Sequence, residues 1–317
     1  MTVDDRPGTG AAWAAARSGP LHAASFCRPS PDGVASVASF VQEGLSRREA
    51  VSICVSAPLA GLLRQALDER WPPAAYIDMA ELGRNPGRII PAMLDFAAAH
   101  AGRVRYVSQP FWPGRSAPEA VEAVRHEALL NLAFAQRNAA IICLYDAGEV
   151  NPHVVAAAEQ THPTVIRDGR VRASSRYGGP GQIPPSYDGP LTPVPPHARP
   201  LSYRHDLRPV RQQVAHCARE AGLTDDQTAD LMLAASEVAA NTLRHTAGRG
   251  TLRVWHGQGE VVCQLQDSGK ITDPLAGRWR HGDRAAGQGL WVVNQLCDLV
   301  ELRTGPDGTV VRLHMCL

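Results

Sequence analysis

Lysine is nearly absent from this sequence. Lys270 is the only one in 317 residues, and arginine carries almost all the positive charge. Together with the abundant Ala, Gly and Pro, this reads as coding bias rather than function. The formal net charge is +1, so composition gives no bulk electrostatic case for nucleic acid or a membrane surface. No apolar run reaches the ~20 residues a membrane helix needs. The first twenty residues begin acidic and hold no apolar core, so they are no secretory signal; residues 1–19 read as a disordered tail. The seven cysteines are dispersed and form no C-x-x-C, which points to reduced thiols and a cytoplasmic protein. No G-x-x-x-x-G-K-[ST] loop follows any strand-like run, which leaves P-loop hydrolysis unsupported. The run His126-Glu-Ala-Leu-Leu-Asn131 approaches the zinc motif H-E-x-x-H but ends in Asn and is rejected.

What is present is α/β patterning in two blocks. In residues 20–177, helix-like spacing over Gly33–Gly44 leads into an apolar strand, Ala50–Val55. Helix is expected over Leu59–Arg70, Pro86–His100 and Pro118–Asn138. Strand is expected over Ala75–Asp78, Arg103–Ser108 and Ala139–Tyr145. Strands alternating with helices imply a mostly parallel sheet covered on both faces. Residues 178–200 hold eight Pro and four Gly, a density that no regular element survives, and read as an extended linker.

The first block resembles a known family. His22-Ala23, Glu127-Ala-Leu-Leu-Asn131, Cys143-Leu-Tyr-Asp146, Thr161-His-Pro163 and Ser175-Arg-Tyr177 together look like the MEDS sensory domain of bacterial regulators. The resemblance implies a RecA-like α/β module that senses a small molecule or other signal. It assigns no binding residues.

Residues 201–317 form the second block. Asp206–Ala221 reads as a helix stopped by Gly222, and Thr224-Asp-Asp-Gln227 as a capping box for the next. That next helix places Leu231, Ala235, Val238 and Thr242 on a core stripe, and Ala234, Glu237, Asn241 and His245 on an adjacent one. Thr251–His256 and Val261–Gln266 alternate as strands around a Gly257-Gln-Gly259 turn. Gly289–Leu299 is helical, and Val300–Arg303 and Thr309–Met315 close the block as strands.

Its polar motifs suit a nucleotide. Glu237 can serve as a general base. Asn241, one turn on, offers a hard oxygen to Mg²⁺. Asp267 ends a strand, where a carboxylate can accept from an adenine amino group, and Gly269 lets a base approach the backbone. Gly287-Gln-Gly289-Leu290 opens a helix whose amides can cradle phosphate. Thr309 would lie near the adenine if its strand neighbours that of Asp267. A second E-x-x-x-N, Glu127–Asn131, and a second D-x-G, Asp146–Gly148, lack the hairpin between them and the downstream G-x-G-L. They are therefore read as coincidence.

Glu237-Val-Ala-Ala-Asn241-Thr-Leu-Arg-His245, Asp267-Ser-Gly269 and Gly287-Gln-Gly289-Leu290 resemble the N, G1 and G2 boxes of the GHKL ATPases, most closely the anti-sigma-factor serine/threonine kinases. The resemblance implies a Bergerat α/β sandwich that binds ATP and Mg²⁺. Glu237 would be the base and Asn241 the Mg²⁺ ligand. Asp267 and Gly269 would contact adenine, Gly287 and Gly289 would line the lid, and His245, Leu290 and Thr309 would contribute to the nucleotide site. It also implies two partners, an alternative sigma factor that is sequestered and a STAS-type antagonist phosphorylated on Ser or Thr; a homodimer is compatible with it. Lys270 and Ile271 depart from the family, which often has a further Gly there. Three other functions stay open: an ATP-dependent binding module without transfer, a sensor histidine kinase, and a chain whose N-terminal domain carries the main function beside a vestigial ATPase. Against the histidine kinase, His205 and His216 lie on one short helix instead of a two-helix dimerisation element.

Overall fold

A computed structural model of the chain describes residues 20–71, 76–146, 148–279 and 288–317. The chain divides into two compact units. The first comprises residues up to Arg84 together with Ala92–Asp188; the second comprises Asn85–Pro91 and Gly189–Leu317. Among the described residues no helix is long and apolar enough to cross a membrane.

The first unit is built on seven strands: β1 (Leu21–Cys27), β2 (Ala50–Val55), β3 (Tyr76–Asp78), β4 (Val104–Ser108), β5 (Ala139–Asp146), β6 (Thr164–Arg167) and β7 (Arg170–Ala173). Their order is β3-β2-β4-β5-β1-β6-β7, parallel throughout except for the β6–β7 hairpin. Helices α1 (Pro31–Ser46), α2 (Ala57–Leu67), α3 (Met79–Leu82), α4 (Ile89–Ala98), α5 (Ala117–Ala133) and α6 (Pro152–Thr161) lie between them in sequence; the start of α4 belongs to the second unit. Burial of the central strands on both faces explains their continuous apolar runs. Strand β1 lies inside the sheet, hydrogen-bonded to β5 on one side and β6 on the other.

The second unit has five antiparallel strands: β8 (Leu201–Arg204), β9 (Arg249–Gly257), β10 (Glu260–Asp267), β11 (Leu299–Gly305) and β12 (Gly308–Cys316). Their order is β11-β12-β10-β9-β8. Helices α7 (Arg208–Ala221), α8 (Asp225–His245) and α9 (Gly289–Leu296) share one core with the inward residues of the sheet, including Leu252, Val261, Cys263, Leu265, Val311 and Leu313. This is the expected α/β sandwich. The β9–β10 turn has Gln258 and Gly259 both at positive φ, the conformation a two-residue hairpin of native twist requires.

The Pro/Gly-rich segment holds only a 3₁₀ turn, Pro185–Tyr187. It is not a free linker throughout. Gly181 N donates to Ala128 O at 3.1 Å in the first unit, and Arg312 Nη1 donates to Thr192 Oγ1 at 2.8 Å in the second.

Candidate functional site

Helix α8 begins where its capping box predicts. Thr224 Oγ1 accepts from Gln227 N and the Gln227 side chain accepts from Thr224 N, so two otherwise unpaired N–H groups are satisfied. Leu231, Ala235, Val238 and Thr242 are buried, as their spacing demands. Ala234 is buried as well and belongs to the core rather than to the polar edge. Glu237 and Asn241 stay half-buried on the adjoining edge, and His245 is exposed at the helix end.

That edge faces a cavity of about 480 Å³, bounded by α8, the end of β10, β12 and the start of α9. Its lining includes Asn241, His245, Asp267, Gly269, Gly289, Leu290 and Thr309, residues scattered between positions 241 and 309 of the sequence. Lys270 and Asp273 also line it. Glu237 is not in the lining. It sits beside it, where a Cβ on Gly289 would come within 2.9 Å of Glu237 Oε2. Gly287 lies outside the described residues.

Asp267 is held by both carboxylate oxygens. Oδ1 accepts from Gly269 N at 2.7 Å, and Oδ2 accepts from Thr242 Oγ1 at 2.6 Å. Thr242 in turn accepts from Tyr203 Oη at 3.0 Å. Burial raises the Tyr203 phenol to about 12, and the nearby Asp267 charge adds to the rise while the Thr242 hydrogen bond opposes it. The phenol therefore stays a donor at the head of the relay. Neither Thr242 nor Tyr203 announces this role in the sequence, because Tyr203 comes from β8, an edge strand of four residues.

The register places Asp267 directly opposite Thr309, so the two do meet across β10 and β12. The Thr309 hydroxyl is already engaged, however. It donates to Gly269 O at 2.9 Å and lies 3.0 Å from Thr304 Oγ1. Its first effect is to fix the Asp-Ser-Gly turn. Gly269 itself admits no side chain, since a Cβ there would stand 2.6 Å from Thr246 Cγ2.

At the other end, Asn241 Oδ1 accepts from Arg244 Nη2 at 3.1 Å, and the same guanidinium lies 4.0 Å from Glu237 Oε2. Gly289 brings the first turn of α9 against this pair. The preceding Gln288 makes no side-chain cap, which leaves the helix N-terminus the property that favours anions.

Residues 201–315 match the family profile described as the histidine kinase-like ATPase domain, and residues 21–163 match that of MEDS, the MEthanogen/methylotroph, DcmR Sensory domain. The chain joins a MEDS sensory domain to a histidine kinase-like ATPase domain. No curated protein matches the chain.

The cavity of the ATPase domain suits the ligand such domains take, ATP with Mg²⁺. It has one amide oxygen at Asn241 for a hard cation, a carboxylate at Asp267, a cation at Lys270, and glycines where a Cβ would intrude. The other Glu-x-x-x-Asn pair has a different setting. Glu127 is fully buried in the MEDS domain, against His22 and His162.

Proposed function

We propose that the protein is an ATP-dependent anti-sigma regulatory kinase. In this account the ATPase domain binds ATP with Mg²⁺ and phosphorylates a STAS-type antagonist on Ser or Thr. It also sequesters an alternative sigma factor, under control of a small-molecule signal at the MEDS domain. The observation that carries the nucleotide part is the single cavity that gathers Asn241, Asp267, Gly269 and Gly289 from separate elements. The partners rest on the resemblance of the N, G1 and G2 boxes to the anti-sigma kinases.

Asp267 would accept the adenine amino group through the free lone pairs of its carboxylate. Lys270 and the α9 N-terminus would neutralise phosphate charge. Asn241 would hold Mg²⁺, which would supply electrostatic stabilisation of the phosphoryl group. Glu237 would take the proton of the incoming hydroxyl. Its place beside the cavity rather than inside it suits a nucleophile delivered by a second protein. Arg244 occupies both Glu237 and Asn241 here and would have to turn outward when the ion binds.

The sensor histidine kinase reading fits less well. Val210, Val214, Cys217 and Ala218 of α7 are buried in the ATPase core, so the helix bearing His216 is part of that domain and not a separate dimerisation hairpin. The test is incubation of the full chain with γ-labelled ATP, Mg²⁺ and a candidate antagonist. Label on Ser or Thr of the antagonist supports the kinase. Sigma binding without any label leaves the binding-only module. Label on a histidine of the chain itself overturns both.

A further inference from the structure

The MEDS domain contains a buried group of four side chains that the nucleotide chemistry does not use. They are His22 on β1, Cys143 on β5, Glu127 on α5, and His162, which caps the end of α6. One ligand atom from each lies within 4.8 Å of all the others, and all four residues are buried. Strand pairing explains half of the arrangement. Cys143 is the register partner of Ala24, so with the two-residue period of a strand its side chain and that of His22 leave the sheet on the same face.

The hydrogen bonds around the group fix the histidine tautomers. Asn131 Nδ2 donates to the carbonyls of Glu127, Ala128 and Thr161, which leaves Asn131 Oδ1 to accept. His22 Nδ1, 3.0 Å from that oxygen, must be the donor. His162 Nδ1 lies 2.8 Å from Ala158 O, which can only accept, so it too carries its proton there. A ring that carries its only proton on Nδ1 turns an Nε2 lone pair inward. His22 Nε2 stands 3.1 Å and His162 Nε2 2.9 Å from the same oxygen, Glu127 Oε2. Among the described residues, His162 Nε2 and Glu127 Oε1 have no hydrogen-bond partner. Cys143 Sγ completes the group, 3.5 Å from His22 Nε2. Two nitrogen lone pairs converging on a carboxylate repel one another unless a positive charge lies among them.

We propose that His22, Glu127, Cys143 and His162 form a tetrahedral site for a zinc-class divalent ion in the MEDS domain. One thiolate, two imidazoles and one carboxylate are the donor set of a borderline metal rather than of Mg²⁺ or Ca²⁺. Asn131 and the Ala158 carbonyl are the outer partners that orient ligating histidines. Bonds of about 2.0–2.3 Å give tetrahedral edges of about 3.3–3.8 Å, so the shortest pairs open by a few tenths of an ångström to admit the ion. Four protein ligands leave no open position, so the site ties β1, β5, α5 and α6 together and does not activate water. The local run His126–Asn131 is not itself the motif. Its Glu127 joins a site whose other ligands come from three other elements.

The test is titration of the metal-free full chain with Co²⁺ in excess Mg²⁺. The site predicts intense visible d–d bands of tetrahedral cobalt and a near-ultraviolet thiolate-to-cobalt band, both saturating at one equivalent and both abolished by Zn²⁺. C143S should lose the thiolate band. N131A, which leaves all four ligands in place, should weaken Co²⁺ binding about 10–100-fold. Wild-type protein that is folded by circular dichroism yet develops no bands overturns the site, as does a thiolate band undiminished in C143S. The wild-type titration decides the matter even if the variants fail to fold.

Discussion

At the scale of single residues, Asp267 carries two burdens that substitution can separate. Both of its oxygens accept hydrogen bonds, from Thr242 and from Gly269 N. In D267N the amide nitrogen must face one of these donors, which costs about 1–3 kcal/mol for an unmet buried donor. Thermal denaturation of the nucleotide-free protein should show that loss, separately from any change in ATP affinity. Glu237 is the opposite case. It lies beside the cavity and contributes nothing to the lining, so E237Q should bind ATP as the wild type does. Phosphoryl transfer should fall by about 10²–10⁴, the usual worth of a positioned general base. Single-turnover transfer from labelled ATP to the antagonist, alongside equilibrium binding, measures both. Equal loss of binding and transfer would remove Glu237 from the base role.

At the scale of elements, two glycines of the ATPase domain should respond differently. Gly308 opens β12 at a φ of +109°, and a Cβ there would lie 2.0 Å from the backbone oxygen of Asp267. That oxygen ends β10 and cannot move without disturbing the pairing of β10 with β12, so G308A should cost more than about 2 kcal/mol. At Gly289 the obstruction is the tip of the half-exposed Glu237 side chain, which can swing away. G289A should therefore leave stability within about 1 kcal/mol while displacing the Glu237 carboxylate. Chemical denaturation of the two variants tests the contrast, and a larger loss for G289A would refute it. The same scale shows where the sequence is legible. Periodicity and caps place α8, β2, β5, β10 and β12 to within a few residues, whereas the helix expected over Pro118–Asn138 ends five residues early, at Ala133. Of the strands that escape, β6, β7 and β8 have only four residues each, too few to show a period, and β1 lacks polar alternation and takes its partners β5 and β6 from distant sequence. Missing β8 hides the Tyr203–Thr242–Asp267 relay. Missing β1 hides the convergence of His22 on Glu127, although both residues stand out in the sequence.

At the scale of the molecule, each domain holds a buried charge arrangement of its own. In the ATPase domain His314 lies between two carboxylates, with Nδ1 3.0 Å from Glu260 and Nε2 3.0 Å from Glu301. Burial alone would lower its pKa, but the hydrogen bonds to Glu260 and Glu301 outweigh burial and raise it to about 9. The folded state thus holds this proton more tightly than the unfolded chain, whose histidine titrates near 6.5. The stabilisation is complete below about pH 6.5 and is lost as the pH rises toward 9. The most it can amount to is ~3 kcal/mol. The melting temperature of the ATPase domain should fall by several degrees over that window, and the fall should be largely absent in H314Q. A melting temperature that rises with pH in this range would contradict the assignment.

The central claim concerns the cavity between α8, β10, β12 and the start of α9. Calorimetric titration of the full chain with ATP in Mg²⁺ tests it most directly, with N241A and D267N beside the wild type. The account predicts one nucleotide per chain in the wild type. Affinity should fall about 10–100-fold in D267N, the worth of a hydrogen bond to a charged group, and N241A should lose the Mg²⁺ dependence. Folded wild-type protein that binds no ATP, or ATP binding indifferent to both substitutions, would contradict it.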